Sequence, residues 1–490
     1  MNREYSRKAQ AAYLMGGKIS SFLIRFIVPI ILVRVFSKED FGFYKQLLFI
    51  SSFFIPILKF GVSQSLFYFF PIVKERMTQL LSQSFYYFVI TGLVFLPLFY
   101  FFQAHIAQIF NNKDIIHLIN LCGLFVVFTA TSFLLEIIFI LEKRSKIVFI
   151  YVFLNELIEV TVLLFALFVY RNIEAVFWVR IIMAMIRTVI LFIYLKIKYM
   201  ISIKINNWDK DLIVKQVKYV FPLGLATILR TIKSSSVKLI LSIFFAASDF
   251  AVFAVGCLKI PLFSQFIASI TNVTRSQIAK YGAQRKYDKA KALWHKQIET
   301  FISVSVPLVV YFLIMAFPVI TFLYTEEYKE SVNIFRILMM VPLLQSLSWG
   351  TIPLAFNATK YSFYALLFST LIGVPSAYIL VKQYGLVGAA ISSVLLFALD
   401  VLYQIYKSKI LLKSNYTGLL PWKVFVKILI ICLILSVPLF MISVSDMHKA
   451  VKIIIGAAFF FTPLLFIYHK HDIINIKQIM ADVFKKQSSV

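Results

Sequence analysis

The chain has 490 residues, 61% of them hydrophobic and only 15% charged, with 52 phenylalanines and a formal charge of +28. No soluble shell can be built from so little polar surface, so the composition excludes an ordinary globular protein and calls for lipid as solvent. Cationic excess alone would suit nucleic acid, but no reader motif accompanies the basic segments, and positively charged membrane loops account for the excess.

Apolar runs of roughly twenty residues recur along the whole chain, each long enough to cross about 30 Å of hydrocarbon as a helix. Membrane β-strands would be shorter and would alternate strictly with polar residues. The first run, Ile19–Phe36, follows a basic stretch. It contains Arg25, is too long for a signal core and lacks a small-residue cleavage site, so it reads as a permanent span. Next come Leu47–Phe70, Phe85–Phe102, Ile115–Leu141, Ile147–Tyr170 and Ala175–Leu195, then Val220–Ala246 and Phe250–Ile270. The remainder are Phe301–Tyr324, Ile334–Phe356, Tyr361–Val381, Leu386–Tyr406, Val424–Val444 and Val451–Tyr468. The fold class expected is an all-α polytopic membrane protein of about fourteen transmembrane helices.

Loop charge alternates. One side carries Arg3, Arg7, Lys8 and Lys18, then Lys143, Arg144 and Lys146, the segments Lys196–Lys218, Arg275–Lys296 and Lys407–Lys423, and the tail. That is about thirty basic residues against about eight opposite, which places both termini in the cytoplasm. The short outer loops hold Glu39, Asp40, Asp114, Glu174, Asp249, Glu326, Glu327 and Asp446.

The Asp40-Phe41 pair that opens the first outer turn returns as Asp249-Phe250 after the seventh span. Both spans enter from the same side, which fits a parallel repeat of two six-helix lobes. The expected division is 1–198 for the N-terminal lobe, 199–219 for a cytoplasmic interfacial linker, 220–412 for the C-terminal lobe, and 413–490 for spans thirteen and fourteen with the tail. Asp211–Lys218 and Ser276–Gln297 read as amphipathic helices lying at the membrane surface. Pro29, Pro56, Pro222, Pro261, Pro307, Pro342, Pro353 and Pro375 sit within or at the start of spans, where each permits a bend.

A charge near the bilayer centre costs about 3 kcal/mol or more, so each must meet a partner or a watery cavity. Arg180 and Arg187 share one face of span six, as Asn155 and Glu159 do on span five, and pairing between them is expected. Glu136 is expected to snorkel to an interface. Arg25, Lys59, Arg230, Lys233, Lys238 and Lys259 have no acid close in sequence and are the candidates for binding an anionic headgroup. Glu156, Glu159 and Asp400 are the candidates for coupling a proton or sodium ion; membrane potential is the alternative driving force. Cys122, Cys257 and Cys432 lie in apolar runs without Cys-x-x-Cys spacing, and His469 and His471 sit in the polar tail. No catalytic residue, metal site or resident cofactor is expected.

Four stretches carry a resemblance: Leu32–Tyr44 with its acidic-Phe-Gly-x-Tyr ending, Phe60–Pro71 with Gly-x-x-x-x-Leu, Tyr219–Gly224, and Tyr384–Ser392 with Gly-x-x-Gly-Ala-Ala. In these the chain resembles the polysaccharide transporter family of Wzx-type oligosaccharide-lipid flippases, whose superfamily also holds multidrug-and-toxin exporters and lipid II flippases. The resemblance implies two six-helix lobes that alternate between inward-open and outward-open forms around a cationic cavity. It also implies transport of a polyprenyl-pyrophosphate-linked oligosaccharide for O-antigen, capsule or exopolysaccharide synthesis in a bacterial inner membrane, with a polymerase and export machinery as further partners.

Other functions fit less well. A drug antiporter should line its cleft with acids, a major facilitator should show Gly-x-x-x-Asp-Arg where this chain has Lys74–Gln79, and a glycosyltransferase or polymerase needs a large outer loop with catalytic side chains.

Overall fold

The computed structural model describes residues 7–110, 116–201, 208–414 and 419–470. Arg3, Asp114 and His471 lie outside the described residues, as do the side chains of Arg7 and Lys8.

The fold is all helical among those residues. Helix α1 (Arg7–Val35) is followed by α2 (Lys38–Lys59) and α3 (Val62–Phe69), which together make the second span. The third is α4 (Met77–Phe101) with the short α5 (Gln103–Ile109). Single helices then cross as α6 (Ile116–Leu141), α7 (Ser145–Tyr170), α8 (Ile173–Tyr199) and α9 (Lys210–Phe244). The eighth span is broken into α10 (Ala247–Gly256) and α11 (Phe263–Ala283), and the ninth is α12 (Tyr287–Ile314) continued by α13 (Ala316–Tyr324). The tenth is three pieces, α14 (Ser331–Leu338), α15 (Met340–Ser346) and α16 (Thr351–Ala355). Two spans share α17 (Thr359–Leu411), and α18 (Trp422–Val444) and α19 (Lys449–Lys470) complete the set.

Eleven of these stretches are long and apolar enough to cross a membrane. One of the eleven, α17, is two helices that meet at Gly385, and α1 and the α10–α11 pair bring the described spans to fourteen. Large apolar side chains such as Phe101, Phe165, Leu371 and Met441 are more than 60% exposed. Lipid is the solvent that accepts them.

Three expectations change. The stretch 211–218 does not lie apart at the surface: it forms the first turns of α9, because Asp209 caps that helix and Pro222 is carried inside it. Ser276–Gln297 is a hairpin shared by α11 and α12, turning at 284–286. Phe250–Ile270 is interrupted at 257–262, where Pro261 and a left-handed Leu262 stop the helix, and Pro342 and Pro353 accompany the breaks in the tenth span.

The chain forms two compact units, Met1–Ala251 and Val252–Val490. In the first, α6 packs against α2, α4, α7 and α8, and Leu66, Leu80, Val126, Leu135 and Leu191 are fully buried around it. In the second, α12 is central, with α11, α15 and α18 against it and Trp294, Ile298 and Phe460 in the core. Phe41 and Phe250, the repeated aromatic of the turns after the first and seventh spans, are both fully buried.

Two glycine patterns have a geometric cause. A Cβ on Gly224 would lie 2.5 Å from the Phe60 ring, so glycine allows the α2–α3 break to seat on α9. Gly385 sits at φ 57°, ψ −134°, a region closed to other residues, and a Cβ on Gly388 would lie 1.9 Å from the Leu380 carbonyl oxygen. Gly-x-x-Gly is therefore the hinge between the eleventh and twelfth spans.

Candidate functional site

The charged side chains of the first unit gather on α1, α2, α7 and α8. Glu156 and Glu159 are three residues apart on α7 and both are buried. Arg180 and Arg187, seven apart on α8, converge on Glu159: Arg180 Nη1 lies 3.0 Å from Oε1 and Arg187 Nη1 3.1 Å from Oε2. Arg180 also donates through Nε and Nη2 to the hydroxyl of the fully buried Tyr44, at 3.0 and 2.8 Å. The expected pairing of spans five and six is present, with Tyr44 of the second span added to it. Asn155 takes no part and donates instead to the Tyr151 carbonyl at 2.8 Å.

Arg25 differs from its expectation. Its Nε and Nη2 both bond the carboxylate of Glu156, in the parallel fork that suits guanidinium and carboxylate. The chosen cation thus has a counterion, contributed from 131 residues away. Glu136 is half-buried, within electrostatic reach of Lys18, Lys59 and Arg25.

The remaining cations lie on or beside α9. Lys59, half-buried near the end of α2, sets its ammonium 3.4 Å from the centroid of the Phe133 ring, a cation–π contact. Lys238 stands 5.8 Å from the Phe49 ring. With Phe60 against Gly224 and Phe49 against Lys238, α2 and α9 run antiparallel over about 21 Å of helix. Arg230 and Lys233 fall within that stretch, three residues apart on one face. Arg230 is exposed and has no ion pair among the described residues; Lys233 is half-buried.

The other two candidates belong to the second unit. Lys259 is exposed in the break between α10 and α11. Asp400 is buried on α17, where its Oδ1 accepts from Gln404 Nε2 at 2.7 Å. Among the described residues no three His, Cys, Asp or Glu side chains converge as a metal site.

The candidate cations of α9 are thus one exposed guanidinium, Arg230, and two half-buried ammonium groups, Lys233 and Lys238, beside a paired network of carboxylates and guanidiniums. Comparison with known proteins gives the sequence a family: residues 31–333 match the sequence model of a family described as polysaccharide biosynthesis protein. The chain belongs to that family.

This polysaccharide biosynthesis protein shares the fold of lipid II flippase MurJ in its inward closed conformation, at 18% identity and a TM-score of 0.71, over 93% of this chain and 99% of that one. An inward-facing multidrug resistance MATE transporter of the MOP superfamily aligns at 14% identity and TM-score 0.57, covering 84% of this chain and 97% of the other. A MOP superfamily transporter from Pyrococcus furiosus, described as having a binding pocket of reverse polarity, aligns at 14% identity and TM-score 0.51, over 82% and 95%. No curated protein matches the sequence. At these identities the likeness is one of fold.

Proposed function

We propose that this polysaccharide biosynthesis protein is a flippase that moves polyprenyl-pyrophosphate-linked oligosaccharide from the cytoplasmic to the outer leaflet of a bacterial inner membrane, with both termini in the cytoplasm. It works by alternating access and carries out no covalent chemistry. The observation that carries this reading is Arg230, an exposed guanidinium in the middle of an apolar helix with no ion pair among the described residues. Holding such a charge at that depth is costly unless it faces a watery cavity or a partner, and a hydrated cleft lined by an unpaired guanidinium suits an anionic solute.

Arg230 grips the pyrophosphate through two parallel hydrogen bonds, with Lys233 and Lys238 on the same helix and Lys59 on α2 adding positive potential. Arg25 joins the headgroup when Glu156 is neutralised. A proton taken up by Glu156 or Glu159 would weaken the paired network and so couple transport to a proton gradient; Asp400 supplies a second coupling carboxylate. The sugar travels in water and the prenyl tail stays in lipid. A polymerase and export machinery act after it.

Depletion in a strain whose surface glycan depends on this protein should make lipid-linked oligosaccharide accumulate in the cytoplasmic leaflet. Complementation with Arg230→Ala at equal protein level should restore about tenfold less glycan than wild type, since charged hydrogen bonds are worth about 1.5–3 kcal/mol. Absence of accumulation would point to export of a small molecule instead. Full complementation would remove Arg230 from the site.

A further inference from the structure

The first unit contains a cavity that the transport reading leaves unused. It has a volume of about 320 Å³ and lies between α4 and the first turns of α9, walled by Phe60, Tyr87, Ile90, Trp208, Val217 and Phe221. Ile90, Val217 and Phe221 are about half exposed, so the cavity borders the surface that meets acyl chains. Its lining runs from Gln83 to Thr91 along α4 and from Ile213 to Phe221 along α9, a depth of about 12 Å in each case. Volume, depth and apolar walls are those of a small-ligand pocket.

The polar end is specific. Gln216 Nε2 donates to Ser65 Oγ at 2.8 Å and to Ser84 Oγ at 3.1 Å, and because Ser65 donates its own proton to the Val62 carbonyl, the orientation of Gln216 is fixed. Gln216 Oε1 therefore faces Gln83 Nε2 at 3.0 Å, which leaves Gln83 Oε1 as a buried acceptor without a partner among the described residues. Trp208 Nε1, stacked beside Tyr86, is a buried donor without one. Two lining residues at one end of an apolar slot thus carry one unpaired acceptor and one unpaired donor, both atoms buried in the slot's wall, where each unmet group costs about 1–3 kcal/mol and a small side-chain rotation would turn it to a ligand.

We propose that this cavity binds a glycerophospholipid of the leaflet next to the basic loops, with one acyl chain in the slot and the glycerol end at Gln83 and Trp208. A headgroup hydroxyl supplies the donor for Gln83 Oε1, and an ester carbonyl supplies the acceptor for Trp208 Nε1. A prenyl phosphate dianion is disfavoured because its oxygens can accept from Trp208 Nε1 but bring no donor to Gln83 Oε1. The segments flanking this end, 74–76 and 209–218, carry Lys74, Arg76, Lys210, Lys215 and Lys218 against Glu75, Asp209 and Asp211. That balance favours an anionic lipid, and phosphatidylglycerol meets every requirement. The site stands whether or not the chain is a flippase.

Purified full-length protein, stripped by detergent washing and titrated with phosphatidylglycerol, should retain one lipid per chain by native mass spectrometry. Gln83→Leu should weaken retention about fivefold, the worth of one hydrogen bond, and Thr91→Trp, which fills the slot, should abolish it. Because Thr91→Trp can disturb packing, a photoreactive benzoylphenylalanine at Val217 provides a second readout: it should crosslink to phosphatidylglycerol in the wild-type background and much less with Gln83→Leu. Equal retention by wild type and Thr91→Trp, no stoichiometric lipid, or displacement of phosphatidylglycerol by an equal concentration of prenyl phosphate would each overturn the assignment.

Discussion

Glu159 holds two guanidiniums inside the first unit, and the side chains of Arg180 and Arg187 are only 19% and 14% exposed. Removing one partner of a buried ion pair costs about 3–5 kcal/mol, because the charge left behind is neither hydrated nor paired. Glu159→Ala should therefore lower the melting temperature of the detergent-solubilised protein sharply, while Glu159→Gln, which keeps an acceptor, should lose less. A wild-type melting curve for the alanine variant would show that the two arginines have other support. This cluster was legible in the sequence because seven residues on α8 and three or four on α7 return to one helix face. The Arg25 pair was not, since its carboxylate stands 131 residues away on α7 and no local pattern joins the two. Its one signal was that Glu156 lies on the same helix as Glu159, three residues earlier. Tyr44 stood in plain view as the last residue of a turn motif, yet its bond to Arg180 depends on the packing of α2 against α8, which no local pattern encodes.

Hydropathy reports how long a segment stays in lipid, not whether its helix is continuous. The eleventh and twelfth spans were separable because Tyr384-Gly385 interrupts the apolar run, whereas the eighth and tenth read as single helices although Pro261, Pro342 and Pro353 stood inside them. At the Gly385 hinge, Gly388→Ala places a Cβ 1.9 Å from the Leu380 carbonyl, and backbone cannot yield as a flexible side chain does. The expected outcome is loss of folded protein on size-exclusion chromatography, with Ala389→Gly beside it causing a far smaller change; equal yields would show that the hinge opens freely. A second element junction is the clasp between the start of α4 and α9. Asp209 accepts from the Leu212 amide at 3.0 Å and pairs with Arg76 at 3.0 Å, and the amide first and the guanidinium second hold its carboxyl below the usual carboxylate range. A depressed native value means the clasp contributes above the unfolded pKa of about 3.9 and is lost as pH falls through the lower native value. Hydrogen exchange in 210–220, corrected for its intrinsic rate, should therefore rise as pH drops below about 4, and Asp209→Ala should show the faster exchange already at pH 7. Unchanged exchange in the variant would leave the helix start held by packing alone.

At the scale of the molecule, the count of spans was the most readable property, because a run of about twenty apolar residues marks a crossing without any knowledge of packing; the side from which each enters is an expectation from loop charge alone. Which cations keep a counterion was less readable for the opposite reason: it depends on which carboxylate the tertiary fold brings to each, as Arg25, paired with Glu156, and Arg230, with no ion pair among the described residues, illustrate. Orientation is accordingly the whole-molecule property that a single experiment decides. The turn between α11 and α12 exposes Lys286, and the turn between α18 and α19 exposes Asp446. Five spans separate them, so they must face opposite sides, and the first turn lies in a strongly basic segment while the second is acidic. With Cys122, Cys257 and Cys432 replaced by alanine, Lys286→Cys and Asp446→Cys give each loop one reporter. A membrane-impermeant maleimide added to intact cells should label Asp446→Cys alone, and Lys286→Cys should react only after the membrane is opened. Labelling of Lys286→Cys in intact cells would invert the protein and put the basic face of α9 at the wrong leaflet to receive a cytoplasmic substrate; labelling of both would break the count of fourteen.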